Sequence, residues 1–249
     1  MDQPLLRQYL EFYRDLGVTT VFRQVTPQAA APAPVIEETL STTAVAPRVI
    51  SPLPTLQPEG DTLFKIRQDI GDCTRCRLYQ GRKQLVFGSG NEQAKLVFVG
   101  EGPGADEDEQ GLPFVGRAGQ LLTQMIDGTA RKEGIPIARP DVYICNVVKC
   151  RPPENRTPQP DEMETCGQFL YRQLVAISPK AICALGGTAA KALLGAKAGV
   201  TSLRGKWHKW RDIPVMVTYH PSYLLRPYNQ NAKREAWEDL KKVLHYVYD

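Results

Sequence analysis

Four short apolar runs, each separated from the next by a stretch of helical character, constrain this sequence more than any other feature. The runs lie at residues 96–99, 142–145, 181–185 and 215–219. The segments with helical features are 117–133, 161–177, 188–194 and 231–248. Uninterrupted apolar strands that alternate with helices are typical of a parallel sheet buried on both faces. The sequence therefore predicts an α/β fold with helices on both sides of the sheet.

Three of these predicted strands end in segments that could bind a ligand. The first is followed by Gly-Glu-Gly-Pro-Gly (100–104), the second by Asn-Val-Val-Lys (146–149), and the fourth by His-Pro-Ser (220–222). In parallel sheets the ligand site lies beyond the carboxyl ends of the strands. We expect these three segments to meet at one pocket.

The chain before residue 61 has a different character from the rest. Residues 1–20 carry apolar side chains at three- and four-residue spacings, which predicts an amphipathic helix. Residues 21–60 are rich in Pro and Ala with few charges, which predicts a flexible linker. The catalytic or binding domain is then expected at 61–249. The N-terminal helix could dock a partner or pack on its own domain, and the sequence leaves both open.

Composition limits the class of protein. No run approaches the roughly 18 to 20 apolar residues of a membrane span, and no export signal is visible at the start. We therefore expect a cytoplasmic protein. Six cysteines in 249 residues are too sparse for a disulfide scaffold, so their roles are expected to be metal binding or packing. A net charge of +4 permits a polyanionic partner without requiring one.

The cysteines divide into two groups. Cys73-Thr74-Arg75-Cys76 precedes the first strand, and Cys150 and Cys166 follow the second. Alone, such a set is compatible with a redox pair, a zinc site, an iron–sulfur site or unremarkable thiols. Cys145 and Cys183 lie inside apolar runs and are expected to be buried packing residues.

Three further motifs leave alternatives open. The glycine-rich segment 100–104 lacks the Lys-Ser/Thr ending of a P-loop and precedes an acidic run, so nucleotide binding is disfavoured. His220 suits a catalytic donor, with capping or packing as the alternative. Residues 204–211 interleave four basic residues with Trp207 and Trp210, which could follow a nucleic-acid backbone. We favour a hairpin with both Trp rings packed inward.

Taken together, the motifs resemble one known family, the family 4 uracil-DNA glycosylases of bacteria and archaea, which carry a [4Fe–4S] cluster. The resemblance runs in order from about residue 61 to the C-terminus and does not cover residues 1–60. It rests on Cys-x-x-Cys (73–76), Gly-Glu-Gly-Pro-Gly (100–104), Gly-Leu-Pro-Phe-Val-Gly-Arg-Ala-Gly-Gln-Leu-Leu (111–122), Asn-Val-Val-Lys-Cys-Arg-Pro-Pro-Glu-Asn-Arg (146–156), Arg-Gly-Lys-Trp (204–207) and His-Pro-Ser-Tyr-Leu-Leu-Arg (220–226).

The resemblance implies a three-layer α/β fold with a central four-stranded parallel sheet. It also implies a repair enzyme that flips uracil out of DNA and hydrolyses its glycosidic bond, leaving an abasic site. The implied partner is uracil-containing DNA, single- or double-stranded, bound by a monomer. A repair or replication protein is a further candidate partner, through the N-terminal helix. The implied cluster ligands, acting as a structural clip, are Cys73, Cys76, Cys150 and Cys166.

The resemblance also assigns roles in the base pocket. Phe114 stacks on uracil, Asn146 pairs with its O4 and N3–H edge, and Glu107 closes the space beside C5. His220 donates a hydrogen bond to uracil O2, and Glu101 is the candidate for charge or oriented water near C1′. Gly102 stands where the better-known branch of the superfamily has an Asp. The implied DNA contacts are Leu224 as the wedge, Ser222 and Arg226 at phosphates, and Asn155 in the loop that holds the flipped strand.

Two other functions fit parts of the pattern. One is an iron–sulfur electron-transfer or redox-sensing protein that binds DNA, which would not need Phe114, Asn146 and His220 together. The other is a related protein that holds uracil tightly or covalently without turnover. Members of that covalent branch carry a basic, His-containing insertion, and residues 209–220 show none. Turnover is therefore the favoured prediction.

Overall fold

The four apolar runs form the centre of one six-stranded sheet. In the computed structural model, which describes residues 60–226 and 229–249, the strand order is β1-β3-β2-β4-β6-β5. The central four strands are parallel, and short antiparallel strands flank them at both edges. The strands are β1 (Ser89–Gly90), β2 (Leu96–Gly100), β3 (Tyr143–Asn146), β4 (Ala181–Leu185), β5 (Trp207–Trp210) and β6 (Ile213–Thr218).

The predicted α/β fold and its parallel core are confirmed. Of the two edge strands, β5 belongs to the hairpin predicted around residues 204–211, and β1 is an addition. The predicted helix at 1–20 and linker at 21–60 lie outside the described residues, apart from Gly60 in a turn. Each of the four helices predicted beyond residue 61 is present, with its bounds shifted by at most one residue. The helices are α1 (Leu63–Ile70), α2 (Ala105–Gln110), α3 (Arg117–Glu133), α4 (Pro160–Ile177), α5 (Gly187–Leu194), α6 (Val200–Leu203), α7 (Pro221–Leu224) and α8 (Gln230–Tyr248).

Local chemistry explains where the long helices start and stop. Pro160 occupies the first position of α4, where its missing N–H costs nothing, and the Glu162 carboxylate accepts from the Gln159 N–H. Helix α3 ends at Gly134, whose φ of 70° closes the last turn. Among residues 60–226 and 229–249, no helix is long and apolar enough to cross a membrane.

The core lies in two layers, one on each face of the sheet. Because strand side chains alternate, Val97 and Val99 pack with α1, α4 and α5, whereas Leu96 and Phe98 pack with α3 and α8. All five residues of β2 are buried. The buried sheet therefore supports the segments that follow the carboxyl ends of its strands.

The hairpin predicted around residues 204–211 exists as β5 and β6, but only one of its Trp rings is inside. Trp210 is 8% exposed, while Trp207 is 40% exposed and lies against Tyr246, with ring centroids 4.7 Å apart. The expectation that both rings pack inward was wrong for Trp207. Residues three apart on a strand point to opposite faces, which separates the two rings.

Candidate functional site

A cavity of about 230 Å³ lies beyond the carboxyl ends of the parallel strands. The pairing of Gly100 with Asn146 and of Leu185 with Thr218 brings these ends level with one another. The residues expected to act in the base pocket all line this cavity, namely Glu101, Gly102, Glu107, Phe114, Asn146 and His220. Two of the expected DNA contacts, Asn155 and Ser222, line it as well. Leu224 and Arg226 are not among its lining residues.

Gly100, the last residue of β2, lets two of these groups meet. A Cβ at this position would lie 2.4 Å from the Asn146 Oδ1 atom and 2.6 Å from the Phe114 ring. Any side chain would therefore push the amide or the ring out of place. The ring and the amide consequently share one corner of the cavity, over the end of the strand.

The Asn146 amide has an unfilled hydrogen-bonding position. The residue is 1% exposed, and its Oδ1 atom has no hydrogen-bond partner. Leaving a buried acceptor unpaired costs about 1–3 kcal/mol, so native proteins do this mainly where a ligand or water completes the bond. This oxygen is ready to accept from an N–H group of a bound molecule.

The His220 ring is held as a neutral hydrogen-bond donor. Its Nδ1 atom accepts from the Ser222 N–H at 3.3 Å and lies 2.8 Å from the Ser222 hydroxyl oxygen. A backbone N–H can only donate, so Nδ1 is the acceptor and Nε2 carries the hydrogen. Burial lowers the pKa of His220 to about 4, outweighing the opposite effect of the Glu107 charge. The ring therefore stays uncharged at neutral pH.

Phe114 and His220 face each other across the cavity, with ring centroids 5.6 Å apart and planes tilted by 37°. Glu107 organises the loop that carries the phenyl ring. One carboxylate oxygen accepts from the N–H groups of Val115 and Gly116 at 2.9 Å, and the other accepts from the Gly104 N–H at 3.0 Å. The side chain thus ties the start of α2 to the turn at Phe114.

The end of β4, which the sequence analysis did not assign to the site, also contributes. The Thr188 hydroxyl donates to the Glu101 carboxylate. Gly186 has a φ of 90°, and a Cβ there would lie 3.0 Å from the His220 Cβ. The available signal was Gly186-Gly187-Thr188 directly after an apolar run, which was interpreted only as the start of a helix.

The residues expected to contact DNA occupy different surroundings. Asn155 has a φ of 55° and accepts from the Arg151 Nε at 2.9 Å. Leu224 is 1% exposed and packs with Ala232 and Ala236 of α8, so its position does not support a wedge role. These last three residues form a small core of their own.

Beside Leu224, the surface of α7 carries aromatic and basic groups. Tyr223 is 40% exposed and stacks on Tyr219, with ring centroids 5.3 Å apart. Arg226 is exposed, with its guanidinium carbon 5.8 Å from the centre of the Tyr223 ring.

A second, smaller cavity is lined by the four cysteines Cys73, Cys76, Cys150 and Cys166. Across the part of the chain that the structure describes, no group of three or more His, Cys, Asp or Glu side chains is arranged to hold a metal ion. Cys145 and Cys183 are fully buried in the sheet, as expected. They do not line this cavity.

Two of the lining sulfurs already receive hydrogen bonds. Arg82 donates to the Cys150 Sγ at 3.2 Å, and the Lys149 N–H donates to the Cys166 Sγ at 3.3 Å. Burial raises the pKa of the Cys166 thiol to about 12. N–H donors aimed at sulfur are the surroundings that iron–sulfur ligands have in proteins, so the donor set fits such a group.

Comparison with known proteins places this architecture in a family. The model of the uracil DNA glycosylase superfamily matches residues 87–241. A type-4 uracil-DNA glycosylase of Thermotoga maritima is 46% identical over 184 residues, covering 73% of this chain and 93% of the relative. One of Sulfurisphaera tokodaii is 43% identical, covering 74% and 84%. A type-5 enzyme of Pyrobaculum aerophilum is 31% identical, covering 67% and 75%.

The family match spans the strands whose ends form the cavity, and the type-4 relatives are markedly more similar than the type-5 one. This chain belongs to the uracil DNA glycosylase superfamily, on its type-4 branch.

Proposed function

We propose that the cavity takes up a uracil base flipped out of DNA and that the protein hydrolyses the bond between uracil N1 and deoxyribose C1′. The products are free uracil and an abasic site. The observation that carries this proposal is the buried, unpartnered Oδ1 atom of Asn146. An unpaired acceptor on a residue that lines the cavity matches the N3–H group of uracil.

The orientation of the Asn146 side-chain amide determines which base the cavity accepts. Its oxygen accepts from uracil N3–H and its nitrogen donates to O4, while the Phe114 ring stacks on the base. Cytosine presents an acceptor at N3 and a donor at N4, so both groups of the amide would be left unpaired. Glu107, which is tied to the loop by three N–H groups, closes the side of the cavity next to uracil C5.

The chemical step requires stabilisation of the departing base. As the C1′–N1 bond breaks, negative charge develops on uracil, and a hydrogen bond to O2 from the His220 Nε2–H stabilises it. The neutral ring is already oriented by Ser222, so little reorganisation is needed. Water supplies the hydroxyl at C1′ and the proton that N1 finally takes. Glu101, held by Thr188, orients that water or stabilises the positive sugar.

We further propose that Cys73, Cys76, Cys150 and Cys166 hold a [4Fe–4S] cluster. When bound, the cluster supplies a covalent link between distant segments and no reacting atom. The thiols come from the segment after α1, the segment after β3, and α4. The four side chains thus fasten the start of the domain to the loop that leaves Asn146.

The DNA substrate is bound chiefly through its phosphates, as in most nucleic-acid complexes. Arg226, beside the exposed Tyr223 ring, and Asn155, which lines the cavity, are the proposed contacts. Ser222 contacts His220 directly, and any phosphate contact through its hydroxyl would compete with that bond.

The test is a cleavage assay on an oligonucleotide with one uracil, followed by alkaline cleavage of the abasic product. We expect free uracil and a single cut, and no reaction with cytosine in the same position. Asn146→Ala should abolish most of the activity, whereas Cys183→Ala, at a buried position outside both cavities, should retain it. Absence of uracil release by iron-loaded, folded protein would overturn the proposed function.

A further inference from the structure

Phe114 has a backbone conformation that an aromatic residue adopts only under constraint. Its φ is 54°, in the left-handed region that favours glycine. Such a conformation persists when surrounding contacts determine it, and it clusters at functional sites. The orientation of the phenyl ring in the cavity depends on this backbone angle. The groups that hold the turn therefore also set the position of the ring.

One side of the turn is held by Arg139, from the 3₁₀ turn Arg139–Asp141 between α3 and β3. Its Nη2 donates to the Pro113 carbonyl at 2.8 Å. Its Nη1 donates to the Thr123 hydroxyl at 2.8 Å and to the Gly119 carbonyl at 3.2 Å. The planar guanidinium thus connects the peptide before Phe114 to the first turns of α3.

The other side of the turn is held by Glu107, whose carboxylate accepts from the two N–H groups after Phe114. The Phe114 carbonyl lies against α3, where a Cβ at Gly119 would come within 1.8 Å of its oxygen. The backbone of Phe114 is therefore held by Arg139 on one side and by Glu107 on the other, and its carbonyl packs closely against Gly119.

The Arg139 guanidinium donates its hydrogen bonds to neutral groups. Within the described residues, the donated bonds go to two carbonyls and a hydroxyl, while the charges of Asp127 and Glu107 act on the guanidinium from nearby and favour its protonated form. The nearby charge of Asp127 is engaged by the Arg139 backbone N–H at 2.8 Å. Burial lowers the pKa of this guanidinium. Burying part of a cation against neutral acceptors costs desolvation free energy. This cost points to a requirement for the turn that Arg139 holds.

We propose that Arg139 is a positioning residue that sets the plane of Phe114 and thereby the affinity of the cavity for a planar pyrimidine base. The identity of that base rests on the proposed function. The guanidinium does not touch the base, and its effect passes entirely through the phenyl ring.

The test is a double-mutant cycle of Arg139→Met and Phe114→Ala, measured by single-turnover cleavage of uracil DNA and by inhibition with free uracil. Arg139→Met alone should slow cleavage and weaken uracil inhibition by about tenfold or more, as a misplaced group in a binding site does. In the Phe114→Ala background the same change should cost less than about twofold, because residues that act as a unit are not additive. Affinity for DNA with an abasic site should stay unchanged.

Arg131→Met, at an exposed position on α3, is the matched control and should behave as the wild type. Thr123→Val removes one acceptor of Arg139 and should give a smaller change in the same direction. It also serves as the test should Arg139→Met fail to fold. Equal effects of Arg139→Met with and without Phe114 would overturn the positioning role. An inactive, folded and iron-loaded wild type would instead overturn the proposed function.

Discussion

The base cavity and the cysteine cavity are built for different purposes. In the base cavity, Ser222 holds the His220 ring through its Nδ1 atom, and the Asn146 Oδ1 atom has no hydrogen-bond partner among the described residues. In the cysteine cavity, two of the four sulfurs already have donors and the space is smaller. An open hydrogen-bonding position suits a ligand that comes and goes, and a cavity lined by four thiols suits the resident cluster that we propose.

The two cavities are nevertheless connected by one buried residue. Lys149 is fully buried, and its ammonium donates to the Asn146 carbonyl at 2.8 Å and to the Gln173 amide oxygen at 2.6 Å. Its N–H donates to the Cys166 sulfur. Substitutions in the base cavity should therefore slow uracil cleavage with little change in the free energy of unfolding. Substitutions in the cysteine cavity should mainly lower the free energy of unfolding, with a smaller effect on the cleavage rate of the folded protein.

The largest effect should come from His220→Ala. Loss of the donor at uracil O2 should slow single-turnover cleavage by about 10²- to 10³-fold, the usual size for one donor aimed at developing charge. Binding to uracil DNA and the thermal midpoint should change much less, because phosphates supply most of the affinity. Near-normal cleavage by the variant would return His220 to a capping role at the start of α7.

Cys166→Ala should have the opposite effect, lowering stability more than it slows the chemical step. The variant should contain little iron, and its free energy of unfolding should fall by several kcal/mol, because ligand binding in such sites contributes directly to folding. Iron content, absorption near 400 nm and thermal unfolding provide the measurements. Cys183→Ala, on the opposite face of the sheet, should keep its iron and lose only packing energy. Stable, zinc-loaded and iron-free protein from the native host under anaerobic purification would contradict the cluster.

A smaller effect is expected from pH. Because the folded-state pKa of His220 is about 4 and the ordinary value is 6.5, the unfolded chain binds more protons between these two values. This contribution to stability is complete above pH 6.5 and is lost as pH falls towards 4. Single-turnover cleavage should show no ionisation near pH 6.5. A transition there that disappears in His220→Ala would show that the imidazole is not held neutral.

The smallest effect should follow deletion of residues 1–60. The described residues that line the two cavities all lie beyond this segment, so uracil excision from naked DNA should be nearly unchanged. Iron content serves as the folding control. A folded, iron-loaded truncation without activity would show that the N-terminal segment belongs to the active unit.

Sequence reasoning was most accurate where the signal was local. The helix predicted at 117–133 coincides with α3, because apolar spacing and a terminal glycine define it without help from the rest of the chain. The edge strands were harder to predict for the opposite reason: β1 was missed, and β5 was predicted only as part of a hairpin. Strand β1 has only two residues, and β5 is mostly exposed, so neither has an apolar run of its own.

In the candidate site, the sequence indicated which residues belong together, but not how each one is used. Motif order selected Ser222, Leu224 and Glu107, yet the structure has Ser222 orienting His220, Leu224 packed inward, and Glu107 bonded to three backbone N–H groups. These roles depend on which way a side chain points and on what has folded next to it. Neither is encoded in spacing along the chain.

By itself, the sequence determined the alternation of strands and helices, the glycine and histidine at the strand ends, and the four candidate thiols, because each is a local pattern of residue types. Only the tertiary structure decided that the end of β4 joins the site through Gly186 and Thr188, and that Arg139 holds the turn at Phe114. It also decided that Cys73 and Cys166 share one cavity. The physical reason is that such contacts join residues far apart in the chain, and only packing of the two helix layers onto the sheet brings them together.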